Sequence, residues 1–166
     1  KDGSVIALFY FDPYARPSKS GGAWMSNFVE QSYLLGLKPV IYNVCNFKKP
    51  SEGETCLLSW DETTTLFHEF GHALHGMFAS QKYPSLSGTN VPRDFVEMPS
   101  QFNEHCAADP VIFANFAKHY KTGAAMPEEL VKKMRDAEKF NQAYGLVENI
   151  TACLLDMAWH TLSPEE

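Results

Sequence analysis

The residues best suited to chemistry stand together at His68-Glu69-Phe70-Gly71-His72. On a helix, positions 68 and 72 differ by about 40° in azimuth and about 6 Å in rise, so both imidazoles leave one stripe and can converge on a single ion. Glu69 stands about 100° round from His68, badly placed to join that coordination sphere but able to reach a water beside it. Two neutral imidazoles that hold zinc, with a carboxylate that takes the proton from water, form the donor set of metal-assisted hydrolysis. The competing reading makes all three solvent-facing residues of an amphipathic helix. Against it stand Leu66, Phe67, Phe70, Ala73, Leu74, Met77 and Phe78. A helix apolar nearly all round is expected to be buried, and buried charge needs partners.

A catalytic zinc takes three protein ligands and keeps a fourth position open. His75 shares a face with His68 and His72 but lies about 10.5 Å along the axis from His68, too far for three imidazoles of one straight helix to meet at one ion. It is expected to pack or to support a ligand. The extended pattern H-E-x-x-H-x-x-G-x-x-H is excluded, because positions 75 and 78 hold His75 and Phe78. A third ligand must come from another element. Glu97 and Glu104 are the acidic choices on the next helix, seven residues apart and on roughly one face, and spacing leaves both open with a slight lean to Glu97. Gln101, one turn past Glu97, can hydrogen-bond a ligand imidazole or simply pack.

The elements that must position these groups change character near residue 58. Strand signals fill the first part: 5–11 and 39–47 are rich in β-branched and aromatic residues, and the Pro, Ser and Gly residues of 13–22 read as a loop between them. Residues 24–35 are ambiguous by period. A small antiparallel sheet is expected over 1–58. From Ser59 the chain reads as helical. Ser59 and Glu62 form a capping box for a helix to about Ala79, and Asp94 with Glu97 forms another for a helix to about Ala107. Asp109 caps a third helix with Pro110 in its first turn and Gly123 as its stop, Pro127 opens a fourth, and a fifth covers 142–162 before Pro164. The fold class is α+β, mainly helical, with the sheet packed on helices 59–162.

Composition sets outer limits. The 166 residues are 45% apolar and 20% charged, which excludes a disordered chain, and a length of this order allows one domain with a core that needs no disulfide or metal to hold it. Acidic residues outnumber basic ones 20 to 14 without a basic cluster, which argues against nucleic acid as a partner. The longest apolar run, 5–11, falls far short of the roughly 20 residues that cross a bilayer, so no membrane partner is expected. Four scattered cysteines without a C-x-x-C read as free thiols of a reducing, cytoplasmic compartment. The first residue is Lys1, with no Met and no leader pattern, so the chain reads as a piece of something longer.

The stretches FHEFGHALHGM (67–77), SGTNVPR (87–93) and DFVEMPSQFNE (94–104) resemble the thimet oligopeptidase family of zinc metallopeptidases. FNQAYGLVENITACLLDMAWH (140–160) is most similar to the bacterial peptidyl-dipeptidases within it, and GAW (22–24) and NFKKP (46–50) extend the likeness to the rest of the chain. The resemblance implies a zincin-like core, one zinc ion held by His68, His72 and Glu97, and Glu69 as general base. It implies one catalytic domain of which 1–166 is a central part, with a β-rich lobe at 1–58 and a helical zinc-binding lobe at 59–166. It implies short peptides as substrates, with release of C-terminal dipeptides, or endo-cleavage as in other members. Such peptides lie partly as an added strand on a sheet edge, for which 39–47 is the candidate, with Asn43 or Val44 as donors. Family members also carry a His- and Tyr-rich segment with a Gly-rich loop that serves the oxyanion and the substrate, and nothing after His160 matches it. The expectation is a chain that binds zinc, is nearly inactive alone, and packs against the remainder of a parent catalytic domain. A metal-binding or interaction module without catalysis is the alternative, opposed by the presence of Glu69.

Overall fold

The computed structural model describes residues 3–163. Strands β1 (Leu8–Tyr14), β2 (Trp24–Val29) and β3 (Val40–Phe47) precede helices α1 (Trp60–Met77), α2 (Met98–Ala108), α3 (Pro110–Phe116), α4 (Glu128–Glu138) and α5 (Gln142–His160). The chain divides into two compact units, 1–116 and 117–166. The first contains the sheet and α1 to α3, so strands and motif helix share one unit.

The class is α+β, as read, but the sheet is mixed rather than antiparallel. Its order is β1-β3-β2, with β1 parallel and β2 antiparallel to β3. The chain reverses between β1 and β2 and again between β2 and β3. Placing β3 in the middle therefore sets two strands of the same direction side by side. Strand β1 begins three residues later than the apolar run suggested and takes in Pro13, which an edge strand tolerates where the register slips between Asp12 and Tyr14. The ambiguous 24–35 region resolves into β2 and a tight turn bridged by Ser32 and Leu37.

The central place of β3 corrects a second expectation. Residues 39–47 are not an edge: both flanks of β3 are strand-paired, and Asn43 is fully buried. A peptide cannot add there, and a proline at Asn43 or Val44 would break the sheet itself. Ile41, Asn43, Cys45 and Phe47 alternate toward α1, whose Gly76 comes so close that a Cβ on it would lie 2.8 Å from Ile41 Cδ1 and 2.6 Å from Met25 Cε.

Helix α1 starts on the box predicted for it. Ser59 Oγ accepts the Glu62 N–H at 3.1 Å, and a Glu62 carboxylate oxygen accepts the Ser59 N–H at 2.8 Å. Its buried residues are Glu69, Gly71, Ala73 and Gly76, not the large apolar ones; Phe70 and Phe78 are exposed. The sheet and α2 bury two faces of α1 by close approach over small residues and leave the bulky side chains at the margins. The second capping box does not form. Turns run through 93–97, Glu97 is the N-cap of α2, and its carboxylate goes elsewhere, so it cannot return to the backbone of Asp94. Asp109 Oδ1 does cap α3, accepting the N–H groups of Val111 and Ile112 at 2.9 and 3.1 Å. That helix ends at Phe116 rather than at Gly123, because 117–126 closes into its own turn through His119 N–H to Ala124 O and Met126 N–H to Ala117 O. The proposed stop at Pro164 lies outside the described residues, as does Lys1.

The expectation of a self-sufficient core is not met. Large buried apolar side chains are few, among them Ile41, Val44, Phe47 and Phe113. Helices α4 and α5 have no buried residue, and α5 exposes Leu146, Val147, Ile150, Leu154, Leu155 and Trp159. All four cysteines are free. No helix among the described residues is long and apolar enough to cross a membrane.

Candidate metal centre

Helix α1 sets the rings of His68 and His72 4.9 Å apart at their centroids. The N-cap of α2 then brings Glu97 Oε2 to 3.2 Å from His68 Nε2 and 3.1 Å from His72 Nε2, with all three candidate ligand atoms within 4.8 Å of one another. Nitrogen and oxygen ligands about 2.0–2.1 Å from a tetrahedral ion stand about 3.3 Å from each other. The two spacings therefore match tetrahedron edges, and the donor set suits zinc.

Proton accounting supports a cation at this point. His68 Nδ1 lies 2.6 Å from Glu104 Oε1, and a carboxylate can only accept, so Nδ1 bears the hydrogen. In the neutral ring Nε2 is then a lone pair, and it faces another acceptor, Glu97 Oε2. Two acceptors at 3.2 Å repel unless a proton or a metal ion lies between them. At His72, burial pushes the imidazole below its usual range, outweighing the nearby Glu97 carboxylate, and so favours the neutral form that a metal requires.

Glu97 is prepared from its own helix. The fully buried Ser100 hydroxyl lies 2.8 Å from Glu97 Oε2 and 2.9 Å from its carbonyl oxygen, and can donate to either. That hydroxyl, helped by His72 and His68, holds the Glu97 carboxyl below the usual range in spite of partial burial. Gly71 makes the approach possible: a Cβ there would lie 2.7 Å from Pro99 O and from Ser100 Cα. Asn103 Nδ2 donates to Phe67 O at 2.6 Å and ties the two helices one residue before His68.

Glu69 is buried on the sheet side of the pair, at 6% exposure, beside Cys45 and within reach of the Met25 backbone N–H. Burial raises its pKa, and the Glu97 carboxylate adds to this, against the lowering effects of His68 and of Met25. Its Oε2 has no hydrogen-bond partner among the described residues. A carboxylate with a free oxygen and a raised affinity for protons is equipped to accept one.

Of the other residues singled out, His75 stands apart from the metal group. Its Nδ1 is buried without a partner among the described residues, its ring meets Phe95 edge-on at 6.1 Å, and it lines an apolar cavity of about 630 Å³ with Leu74, Phe95 and Phe102. Gln101 is exposed, and the residue that meets the His68 imidazole is Glu104. Ser100, Gly71 and Met25 escaped the sequence reading altogether. For Ser100 the signal was its place three residues after Glu97; for Gly71, its place inside the motif.

The model of peptidase family M3 matches residues 1–166. The chain is 62% identical over 165 residues to dipeptidyl carboxypeptidase of Escherichia coli, covering 99% of this chain and 24% of that protein. It is 59% identical over 161 residues to dipeptidyl carboxypeptidase of Salmonella typhimurium (97% and 24%), and 42% identical over 164 residues to oligopeptidase A of Escherichia coli (96% and 24%). It thus spans about a quarter of the length of these relatives. Two helical imidazoles with a glutamate of the next element beside them, and similarity along the whole chain, lead to one assignment: the chain belongs to peptidase family M3.

Proposed function

We propose that this chain carries the metal-binding and proton-transfer part of a zinc-dependent peptidase that acts on oligopeptides and releases C-terminal dipeptides. The observation that carries this reading is the single oxygen of Glu97 at 3.2 and 3.1 Å from Nε2 of His68 and His72, with Glu69 one residue along the same helix. His68 Nε2, His72 Nε2 and Glu97 Oε2 would hold one zinc ion. Bound there, zinc supplies Lewis-acid polarisation of the scissile carbonyl and acidifies the attacking water. Glu69 takes the proton of that water and returns it to the leaving nitrogen. Burial, with the Glu97 carboxylate, keeps the proton affinity of Glu69 raised.

Support for dipeptide release comes from the relatives: those called dipeptidyl carboxypeptidase are 62% and 59% identical, against 42% for oligopeptidase A. Endo-cleavage of oligopeptides is the second reading and rests on the latter similarity. A module without catalysis fits poorly with a buried carboxylate whose proton affinity is raised beside the ligands. The chain spans about a quarter of the relatives' length, and the groups that stabilise the oxyanion and close the cleft are assigned to the remainder of the protein. That remainder is also the proposed cover for the exposed apolar face of α5. The four free thiols suit a cytoplasmic setting.

The test is zinc content and hydrolysis of a short peptide with a free C-terminus by the full-length protein, with products identified by mass. The expected result is one zinc and loss of dipeptides from the C-terminal end. Glu69→Gln is expected to keep the zinc and lose about 10²–10⁴-fold in turnover. Undiminished turnover would remove Glu69 as general base, and internal cleavage would favour the endo-acting reading.

A further inference from the structure

The two nitrogens of His68 face two different carboxylates of α2. Nδ1 lies 2.6 Å from Glu104 Oε1, and Nε2 lies 3.2 Å from Glu97 Oε2. The two glutamates are seven residues apart, two helical turns and about 10.5 Å of rise, so α2 brackets the imidazole lengthwise. The height of Glu104 against the ring is fixed from next door, because Asn103 Nδ2 donates to the carbonyl of Phe67 at 2.6 Å. His72 has no such support: its Nδ1 is buried without a partner among the described residues. On the Nδ1 side, therefore, one ring of the pair meets a carboxylate and the other meets no partner among the described residues.

We propose that Glu104 is a positioning residue for the metal site. By accepting the Nδ1–H of His68 it holds the ring in the tautomer whose Nε2 lone pair faces the ion, and it stops the ring from turning away. The hydrogen bond to an ionised acceptor is short, and it strengthens the ring as a donor toward a divalent cation. Glu104 thereby does a different job from Glu97, although both lie on one face of α2: Glu97 offers its oxygen to the ion, and Glu104 offers its oxygen to the back of a ligand. This rests on the reading of His68, His72 and Glu97 as metal ligands, and the experiment separates the two.

The protein, freed of metal and labelled with ¹⁵N at its histidines, reports the tautomer of His68 by NMR at pH 8. Zinc affinity is measured alongside by competition with a chromophoric chelator, for the unmodified protein, Glu104→Gln, Glu104→Asp and His72→Ala. The expected result is a proton resident on Nδ1 of His68 in the unmodified protein. Glu104→Gln reduces the share of that tautomer and weakens zinc binding about 10–100-fold. Glu104→Asp, which keeps the charge with a shorter reach, recovers part of both. If Glu104→Gln lowers the thermal midpoint but leaves tautomer and zinc affinity unchanged, Glu104 is merely structural and the proposal is overturned, while loss of zinc in His72→Ala leaves the metal reading standing. If His72→Ala binds zinc as tightly as the unmodified protein, the metal reading fails and takes the role of Glu104 with it.

Discussion

Gly71 is the residue of the motif helix that local propensity would replace first, since alanine is about 1 kcal/mol better in a helix interior. The packing reverses that preference. A Cβ at 71 would lie 2.7 Å from Pro99 O, 2.7 Å from Ser100 Cα and 2.9 Å from Asn103 Cβ, and the first two are backbone atoms that cannot rotate aside. Contacts of this kind settle at about 3.5–4.0 Å, so Gly71→Ala obliges α2 to withdraw from α1 by roughly 1 Å. The withdrawal carries Glu97 and Glu104 away from His68, whereas metal–ligand distances tolerate only about ±0.2 Å. Overpacking costs about 1–3 kcal/mol and the gain in propensity returns about 1, which leaves a net loss of stability of about 0–2 kcal/mol. Zinc affinity is expected to fall more steeply than stability, by at least about tenfold. Chelator competition gives the affinity, and urea unfolding of the metal-free protein gives the stability. A Gly71→Ala protein that binds zinc as tightly as the unmodified one would refute the claim that this glycine sets the distance between His68 and Glu97.

Further outcomes can be checked on the same protein. Ser100→Ala removes the hydroxyl that holds the Glu97 carboxyl below its usual range, and is expected to weaken zinc binding about tenfold in the same competition assay; equal affinity would show that Glu97 needs no such support. Withdrawal of zinc by a chelator should lower the thermal midpoint, because free zinc at about 100 times its dissociation constant stabilises the fold by about 2.7 kcal/mol. Glu97→Gln should abolish most of that difference, and a midpoint indifferent to zinc in the unmodified protein would count against a site formed only in the folded state. Burial, reinforced by the Glu69 carboxylate, pushes the Cys45 thiol from 9.0 up to about 11. At pH 8 this leaves it about 100-fold less thiolate than an ordinary cysteine, so the exposed Cys153 should react with a thiol reagent well before Cys45 does. Between pH 9 and about 11 the folded chain keeps a proton that the unfolded chain releases, so the contribution of Cys45 to stability is intact below pH 9 and falls as pH rises through that interval. Denaturation curves that show no Cys45-dependent loss there would contradict the assignment.

The parts of this fold that could be read in advance are those decided within one turn of helix. Ser59 and Glu62 satisfy a capping box with no competitor, and His68 and His72 share a stripe because helical geometry gives them no alternative. Asp94 and Glu97 carry the same local signal, and there it fails. The Ser100 hydroxyl holds the Glu97 carboxylate at 2.8 Å and sets it against the two imidazoles of α1, so it is not free to return to the backbone of Asp94. The strand signals of 39–47 were right in kind and silent on place, because whether β3 is edge or centre depends on where β1 returns, which no property of 39–47 encodes.

The ambiguity between Glu97 and Glu104 has the same origin. Both lie on one face of α2, both reach His68, and they end on opposite nitrogens of one ring. Which glutamate meets which nitrogen is set by how α2 crosses α1. The crossing depends on the absence of a side chain at Gly71 and on the bond from Asn103 to Phe67 O, contacts between residues about thirty positions apart. A candidate ligand set confined to one helix is therefore legible from spacing. One that borrows a residue from a second helix becomes legible only when the close contact that sets the crossing is recognised as part of the site, and here that contact is the glycine inside the motif.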